Sequence, residues 1–285
     1  ARPPVAVLDR AAAVDGDAAE AVFYRLVTEA EFKFGDDFWK LVPIGSGRQR
    51  LRATYEHFID MPKSVWANQP AYRQYRKGFL ESYQKICANV GIKECRAYAA
   101  TLLFGFTEEE ARAYARRAVE KESQEQPREE KIVESEGDPA PVRWHRGLSV
   151  VPETRALVGA LRAAGFDVWA VGLSAQPVLI VEAQLWGIDA SRCLGIRQAT
   201  ERDRFNGQLR EPIPIRVGAV EAVAAALGRR PVFAVAASAA AADLALYAEG
   251  LRLIIDRGDA ALRQRLSGTG AVVQSAFEPA RATKH

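Results

Sequence analysis

The first apolar run of the chain is short and ends on a carboxylate. Residues 4–8 read Pro-Val-Ala-Val-Leu, and Asp9 follows them directly. A bounded apolar run of this length is typical of a buried strand. Because ligands of open α/β sheets bind at the carboxyl ends of the strands, Asp9 is a candidate nucleophile or metal ligand. Taken alone, such a run more often marks a structural strand that happens to end in Asp. The next residues, Arg10, Ala11 and Ala12, supply no second acid.

From residue 150 onward, the pattern alternates between helical and extended segments. It predicts strands at residues 168–171, 232–236 and 252–255, and helices at residues 152–164, 177–187, 218–227 and 243–248. Alternation of this kind indicates a parallel sheet with helices on both faces. The N-terminal strand belongs to the same sheet. We therefore expect an α/β fold whose core is a doubly wound, Rossmann-like parallel sheet.

The segment between these core parts has a different composition. Residues 30–145 are rich in aromatic side chains at helical spacing, and Thr107 begins a capping box for one of the helices. Residues 122–138 are polar and charged, which predicts a linker or a solvated face. We expect residues 30–145 to be an inserted helical cap domain, and residues 1–29 and 146–285 to form the core.

The aromatic side chains of this insertion allow two interpretations. Trp39, Trp66, Tyr72 and Tyr75 have the ring chemistry that cages a quaternary ammonium or another cation. Aromatic residues at helical spacing more commonly pack against one another. We favour packing.

Composition and charge exclude several classes of function. The 285 residues include 39 basic and 36 acidic side chains without a long run of one sign, which argues against a dedicated nucleic-acid surface. No apolar stretch approaches the roughly 20 residues of a membrane-spanning helix, so we expect a soluble protein. The first residue is Ala1 rather than Met, which leaves a cytoplasmic protein and one exported after removal of a leader both open.

Three cysteines are too few for a disulfide framework. Cys87 and Cys95 are close enough in sequence to pair, whereas Cys193 stands alone. We favour free, buried thiols over a disulfide between Cys87 and Cys95, because a cysteine outside such a framework commonly behaves as a small apolar residue.

Three segments carry a resemblance to a known family. They are Pro152-Glu153-Thr154-Arg155-Ala156-Leu157, Leu173-Ser174-Ala175-Gln176-Pro177-Val178 and Leu253-Ile254-Ile255-Asp256-Arg257-Gly258. With the order of the elements, they resemble the haloacid dehalogenase (HAD) superfamily, in particular its phosphoserine phosphatase and phosphorylcholine phosphatase-like branch with a helical cap. The resemblance covers residues 4–29 and 146–262. It implies an aspartate that attacks phosphorus, a second aspartate that protonates the leaving group, and Mg²⁺ that offsets phosphate charge.

Most positions that this resemblance makes functional lack a functional group here. Asp9 keeps the nucleophile position, but Ala11 stands at the general-acid position and Ala13 at the position of an assisting hydroxyl. Gly172 stands where a hydroxyl would hold the transferring phosphoryl group, and the nearby Ser174 is a candidate for a displaced substitute, although we do not favour that interpretation.

The cationic and metal-binding positions are depleted in the same way. Ala219 stands where the resemblance implies a lysine, and Arg216 is the only cation close by in sequence. Ala237 and Ser238 lie in the metal-binding segment, where one acid, Asp243, remains. Since Mg²⁺ is usually held by one or two carboxylates plus phosphate and water, Asp9 and Asp243 would form at most a weak site.

Two classes of function follow from these departures. The first is a pseudo-phosphatase without a cofactor, which binds a small ligand or a protein partner in the cleft between core and cap. The second is a weakly active or repurposed phosphomonoester hydrolase that uses Asp9 as nucleophile and Mg²⁺ as cofactor. Arg10, Ser174, Arg216 and Ser238 are the candidate ligand-binding residues. Arg10 allows two interpretations: its side chain pairs with Asp9 or an anionic ligand, or it is exposed on the turn. We favour the exposed side chain.

Overall fold

The structure, a computed structural model, describes residues 2–43, 45 and 47–277. Contacts divide the chain into two compact units. The α/β unit contains Ala1–Ala18, Leu148–Arg197 and Arg210–His285, and the helical unit contains Ala19–Gly147 and Gln198–Leu209. Residues 1 and 278–285, which the sequence assigns to the core, lie outside the described residues.

Strands and α-helices follow one another along the chain. The strands are β1 Val5–Asp9, β2 Val14–Asp15, β3 Arg128–Ile132, β4 Val142–Arg146, β5 Ser149–Val150, β6 Asp167–Ala175, β7 Cys193–Glu201, β8 Arg204–Arg210, β9 Phe233–Ala236, β10 Leu251–Asp256 and β11 Val272–Ser275. The helices are α1 Ala18–Glu29, α2 Asp36–Leu41, α3 Arg48–Phe58, α4 Pro70–Asn89, α5 Ile92–Thr101, α6 Glu108–Gln124, α7 Pro152–Ala163, α8 Gln176–Leu185, α9 Val217–Leu227, α10 Ala242–Tyr247 and α11 Ala260–Leu266.

Seven strands form one sheet in the order β11-β10-β9-β1-β6-β7-β8. β1 pairs in parallel with β6 on one side and with β9 on the other. β10 is parallel to β9 and β11, and β6 is parallel to β7. The α/β fold that the alternating pattern predicts is therefore confirmed. The last residues of β7 and most of β8 group with the helical unit.

β1 is apolar without alternation because both of its faces are covered. Val5, Ala6, Val7 and Leu8 are all buried. On one face, Val5 and Val7 share a core cluster with residues of α9, α10 and α11. A strand buried on both faces is expected at the centre of a parallel sheet. The strand therefore carries Asp9 to the carboxyl edge of the sheet, at its middle.

The apolar pattern does not indicate the hairpin β7-β8 or the edge strand β11. All four residues of β11 are exposed, so they do not form the apolar run of a buried strand. In the turn between β7 and β8, Arg202 and Asp203 have positive φ values of 49° and 64°. Neither residue is a glycine, which is the usual signal for such a conformation. By contacts, helix α1 groups with the helical unit, whereas the sequence assigns residues 1–29 to the core.

Residues 122–138 form a largely solvated face, as their composition predicts, but they are not a linker. They include the end of α6 and strand β3, which pairs with β4 in an antiparallel hairpin. Ile132 of β3 and Trp144 of β4 are buried. Arg146 of β4 is also buried, and its guanidinium binds the carboxylate of Glu122. The charge of Glu122 is therefore paired in the interior of the helical unit, which composition does not reveal.

The aromatic side chains of the helical unit pack against one another, as we favoured. Trp39, Trp66, Tyr72 and Tyr75 are all buried. The ring of Phe58 lies 5.0 Å from that of Trp66, 5.3 Å from that of Tyr72 and 5.1 Å from that of Tyr75. Such edge-to-face and tilted contacts stabilise a core beyond the area that they bury. The four rings are therefore part of the packed interior.

The expectation of free thiols at Cys87 and Cys95 is wrong, because the two residues form a disulfide. Cys87 lies in α4 and Cys95 in α5, with Cα atoms 4.9 Å apart. The chain reverses between these helices at Gly91, whose φ of 138° suits glycine, and this reversal brings the cysteines together. Cys193 is free and buried, and burial raises the pKa of its thiol to about 12.

The described residues contain no helix with both the length and the apolar character needed to cross a membrane.

Candidate functional site

Asp9 lies at the carboxyl end of β1, where the sequence predicts it. The strand ends there because a 3₁₀ turn, Arg10–Ala12, begins at the next residue. The Asp9 side chain caps this turn by accepting a hydrogen bond of 3.2 Å from the backbone N–H of Ala11. An aspartate is a favoured cap because its carboxylate satisfies an N–H that has no partner within the turn. Asp9 is 6% exposed.

The other carboxylate oxygen of Asp9 is bound to the segment that follows β9. Oδ2 accepts a hydrogen bond of 3.2 Å from the backbone N–H of Ala237 and one of 2.8 Å from the hydroxyl of Ser238. β9 is the parallel neighbour of β1, so the ends of the two strands meet at the same edge. Three donors of the protein therefore occupy the carboxylate, which ties the end of β1 to the end of β9.

Arg10 is neither the exposed turn residue that we favoured nor a partner of Asp9. Its side chain is 12% exposed, and its guanidinium lies 2.8 Å from Asp17 Oδ2 and 3.1 Å from Glu182 Oε1. Glu182 lies in α8 and is fully buried. The sequence could not indicate this pairing, because Arg10 and Glu182 are 172 positions apart. The charge of Arg10 is therefore balanced within the α/β unit.

Gly172 lies in β6, against the side chain of Arg10. A Cβ atom on Gly172 would lie 2.7 Å from Cγ of Arg10, closer than side chains approach. The arginine therefore fills the space that a hydroxyl side chain at this position would need. Ser174 does not replace that hydroxyl at the site, because it is fully buried and its Oγ lies 3.5 Å from Glu182 Oε2. Ala13 is fully buried as well.

Arg216 and Ala219 lie at the beginning of α9. Arg216 precedes the helix with φ of 50°, and its backbone N–H donates to the carbonyl of Ala240. Its side chain is exposed. Ala219 is buried in the core cluster that contains Val7. Ala219 therefore supplies no cation where the resemblance implies a lysine, and Arg216 does not replace it within the core.

Asp243 is engaged by a cation of the protein. Its carboxylate forms an ion pair with Arg265 of α11. A different acid, Asp259, contacts the segment after β9, since its Oδ2 accepts a hydrogen bond of 2.7 Å from the N–H of Ala239. Its Oδ1 caps α11 by accepting from Leu262. The sequence signal for this role is an aspartate directly before a helix, which is a common cap.

The residues at this edge of the sheet do not fit the Mg²⁺ that the resemblance implies. Mg²⁺ requires a near-octahedral set of oxygen ligands, with free carboxylate lone pairs among them. Asp9 accepts three hydrogen bonds, which leave about one of its four lone-pair positions for a metal, and Arg265 neutralises Asp243. Within residues 2–43, 45 and 47–277, no group of three His, Cys, Asp or Glu side chains is arranged to hold a metal ion.

Comparison with known proteins finds solved structures of similar fold. No family model and no curated protein matches the sequence. A conserved protein of unknown function from Anaerococcus prevotii is 18% identical, with a TM-score of 0.81 over 93% of this chain and 82% of that one. A protein of unknown function from Bordetella pertussis is 14% identical, with a TM-score of 0.57 over 96% of this chain and 98% of that one.

Phosphoserine phosphatases and a HAD family hydrolase are also among the matching structures, with TM-scores of 0.44 to 0.47. A probable phosphoserine phosphatase from Vibrio cholerae is 11% identical, with a TM-score of 0.47 over 93% of this chain and 59% of that one. Identities this low relate folds and not activities. The chain thus has a fold known from solved structures, and its function has to be inferred from its own residues.

Proposed function

We propose that this chain is a pseudo-phosphatase, a protein built on the fold of the HAD phosphatases that acts by binding instead of phosphoryl transfer. The observation that carries the proposal is the state of Asp9. Both oxygens of its carboxylate accept hydrogen bonds from the protein, and one of them accepts two. A carboxylate used in this way is a structural acceptor that ties two strands together.

The groups around Asp9 also support the proposal. Attack by a carboxylate on phosphorus needs a proton donor for the leaving group and positive charge to stabilise the transferring phosphoryl group. Ala11 cannot donate a proton, and Ala219 carries no positive charge. The positive charge of Arg10 is balanced by Asp17 and Glu182. Loss of one preorganised group commonly lowers a rate by about 100- to 1000-fold. The losses do not simply add, because catalytic groups act as a unit.

The experiment is an assay of p-nitrophenyl phosphate hydrolysis with and without Mg²⁺. We expect wild type and Asp9→Asn to give the same background rate in both conditions. Asn keeps an acceptor oxygen and the size of the side chain but removes the nucleophile, and circular dichroism checks that the variant is folded. Turnover that requires both Mg²⁺ and Asp9 would overturn the proposal and favour the alternative, a weakly active hydrolase that uses Asp9 as nucleophile.

A further inference from the structure

Strand β11 lies at one end of the seven-stranded sheet. It pairs in parallel with β10 over Val272–Ser275, and among the described residues no strand pairs with its other side. Both ends of the strand are held in place. Before it, Arg252 donates a hydrogen bond to the carbonyl of Thr269, and after it the N–H of Ala276 donates to the carbonyl of Asp256. β11 is therefore an ordered sheet edge whose outer side is open to a further strand.

The backbone groups on the open side follow from the hydrogen bonds on the paired side. The N–H of Ala276 points to β10, and successive residues of a strand direct their N–H and C=O groups to opposite sides. Val273 and Ser275 therefore direct these groups away from the sheet. The carbonyl of Ser275 accepts a hydrogen bond of 3.0 Å from the side-chain amide of Gln274, its own neighbour in the chain. An edge of this kind is a template on which another strand can pair.

The side chains of this edge are uncharged, and two of them are apolar and exposed. Val272 is 51% exposed and Val273 is 56% exposed, although adjacent side chains of a strand point to opposite faces of the sheet. Neither face is therefore fully covered at the edge. Residues 266–277 contain no charged side chain, whereas 26% of the whole chain is charged. Unpaired edges are commonly protected by lysine, proline or a bulge, and Val272–Ser275 has none of these.

We propose that β11 is the interface of a homodimer, in which the β11 strands of two copies pair antiparallel about a two-fold axis at Val273. Val273 then exchanges both of its backbone hydrogen bonds with its counterpart in the second copy. On either side of the axis, Ala271 of each copy pairs in the same way with Ser275 of the other, and the two sheets become continuous. This surface lies outside the candidate site, so the inference does not depend on whether Asp9 is catalytic.

Two properties of the strand favour a second copy of this chain over a strand of another protein. A two-fold axis places the central residue opposite its own counterpart, so a charge there would face the same charge, and the uncharged run avoids this repulsion. The axis also places Val273 directly opposite valine, and β-branched side chains in cross-strand pairs stabilise a sheet. A self-complementary patch of this kind is what a two-fold dimer requires.

Sedimentation velocity tests the proposal directly. We expect wild type to be a dimer at about 100 µM and to dissociate on dilution. Val273→Lys should weaken association by about tenfold or more, because two lysines would face each other at the axis. Val217→Lys is the matched control, since Val217 at the start of α9 is 61% exposed, and it should associate as wild type does. A wild type that is monomeric at about 100 µM, or Val273→Lys that associates as tightly as the control, would overturn the proposal.

Mixing two variants separates pairing at the axis from a general effect of substitution. An equimolar mixture of Val273→Lys and Val273→Asp should associate about tenfold or more tightly than either variant alone, because opposite charges then meet at the axis. Circular dichroism checks that both variants are folded. A mixture that associates no better than its components would contradict the position of the axis.

A cysteine at the axis gives a measurement that does not depend on charge. Cα atoms of a hydrogen-bonded antiparallel pair lie about 5.5 Å apart, within the range that a disulfide spans. Copper(II) phenanthroline should therefore link two copies of Val273→Cys, as the two thiols lose two protons and pass two electrons to copper(II). Equal linking of the control Val217→Cys would refute the interface. The p-nitrophenyl phosphate assay is a separate readout, so either proposal can fail alone.

Discussion

Replacing Asp9 by Ala is expected to lower the free energy of unfolding by about 2–4 kcal/mol. The carboxylate accepts hydrogen bonds from the backbone N–H groups of Ala11 and Ala237 and from the hydroxyl of Ser238. Ala237 is buried, so its N–H would be left without an acceptor in the variant. The penalty for an unsatisfied buried donor adds to the loss of the charged acceptor. Unfolding in urea, followed by circular dichroism, measures the change.

Two further variants separate this role from other effects of the substitution. Ser238→Ala removes one of the three donors and should cost about 1 kcal/mol. Asp9→Asn keeps an acceptor oxygen and should be less destabilised than Asp9→Ala. An Asp9→Ala variant as stable as wild type, or more stable, would mean that the carboxylate is held for chemistry at the expense of stability, and the structural role would be refuted.

Replacing Arg146 by Ala is expected to have a larger effect, about 3–5 kcal/mol, because it breaks a buried ion-pair network. Arg146 Nε lies 3.0 Å from Glu122 Oε2, and a terminal nitrogen lies 2.6 Å from Glu130 Oε2. Its guanidinium also stacks 4.0 Å from the ring of Tyr24. Glu122 is 2% exposed, so the variant would leave a buried carboxylate whose remaining ion-pair partner among the described residues is Arg25, at 3.2 Å.

The matched control for this prediction lies on the same strand. Arg143 and Arg146 are both in β4, but Arg143 is 59% exposed and pairs with Glu129 on the surface. Arg143→Ala removes the same charge and should cost no more than about 1 kcal/mol. Equal destabilisation of the two variants in urea would contradict the account, because it would show that burial of the network does not determine its contribution.

The strands and helices of the α/β unit could be predicted because each depends on a pattern among residues that are close together in the sequence. The apolar run ending at Asp9, proline at the start of α7 and the alternation after residue 150 each depend on neighbours within a few positions. Burial on both faces makes the central strands continuously apolar, which is a signal visible in the sequence. Strand β11 lacks that signal because its four residues are exposed.

For the candidate site, the sequence predicted the identities of the residues but not their contacts. The sequence shows that Ala11, Gly172 and Ala237 lack functional groups, but it does not show what replaces them. The packing of Arg10 over Gly172 joins positions that are far apart in the chain, as does the contact of Asp9 with Ser238. Long-range contacts of this kind follow from the fold and not from a local pattern.

The central claim is that the carboxylate of Asp9 is a structural acceptor and not a nucleophile. Its most direct test is a crystal structure after soaking with Mg²⁺ and beryllium fluoride, which adds to reactive aspartates as a mimic of aspartyl phosphate. The account predicts an unmodified Asp9 still bound to the N–H of Ala237 and the hydroxyl of Ser238. A beryllium fluoride adduct on Asp9, with an octahedral Mg²⁺ beside it, would contradict the account.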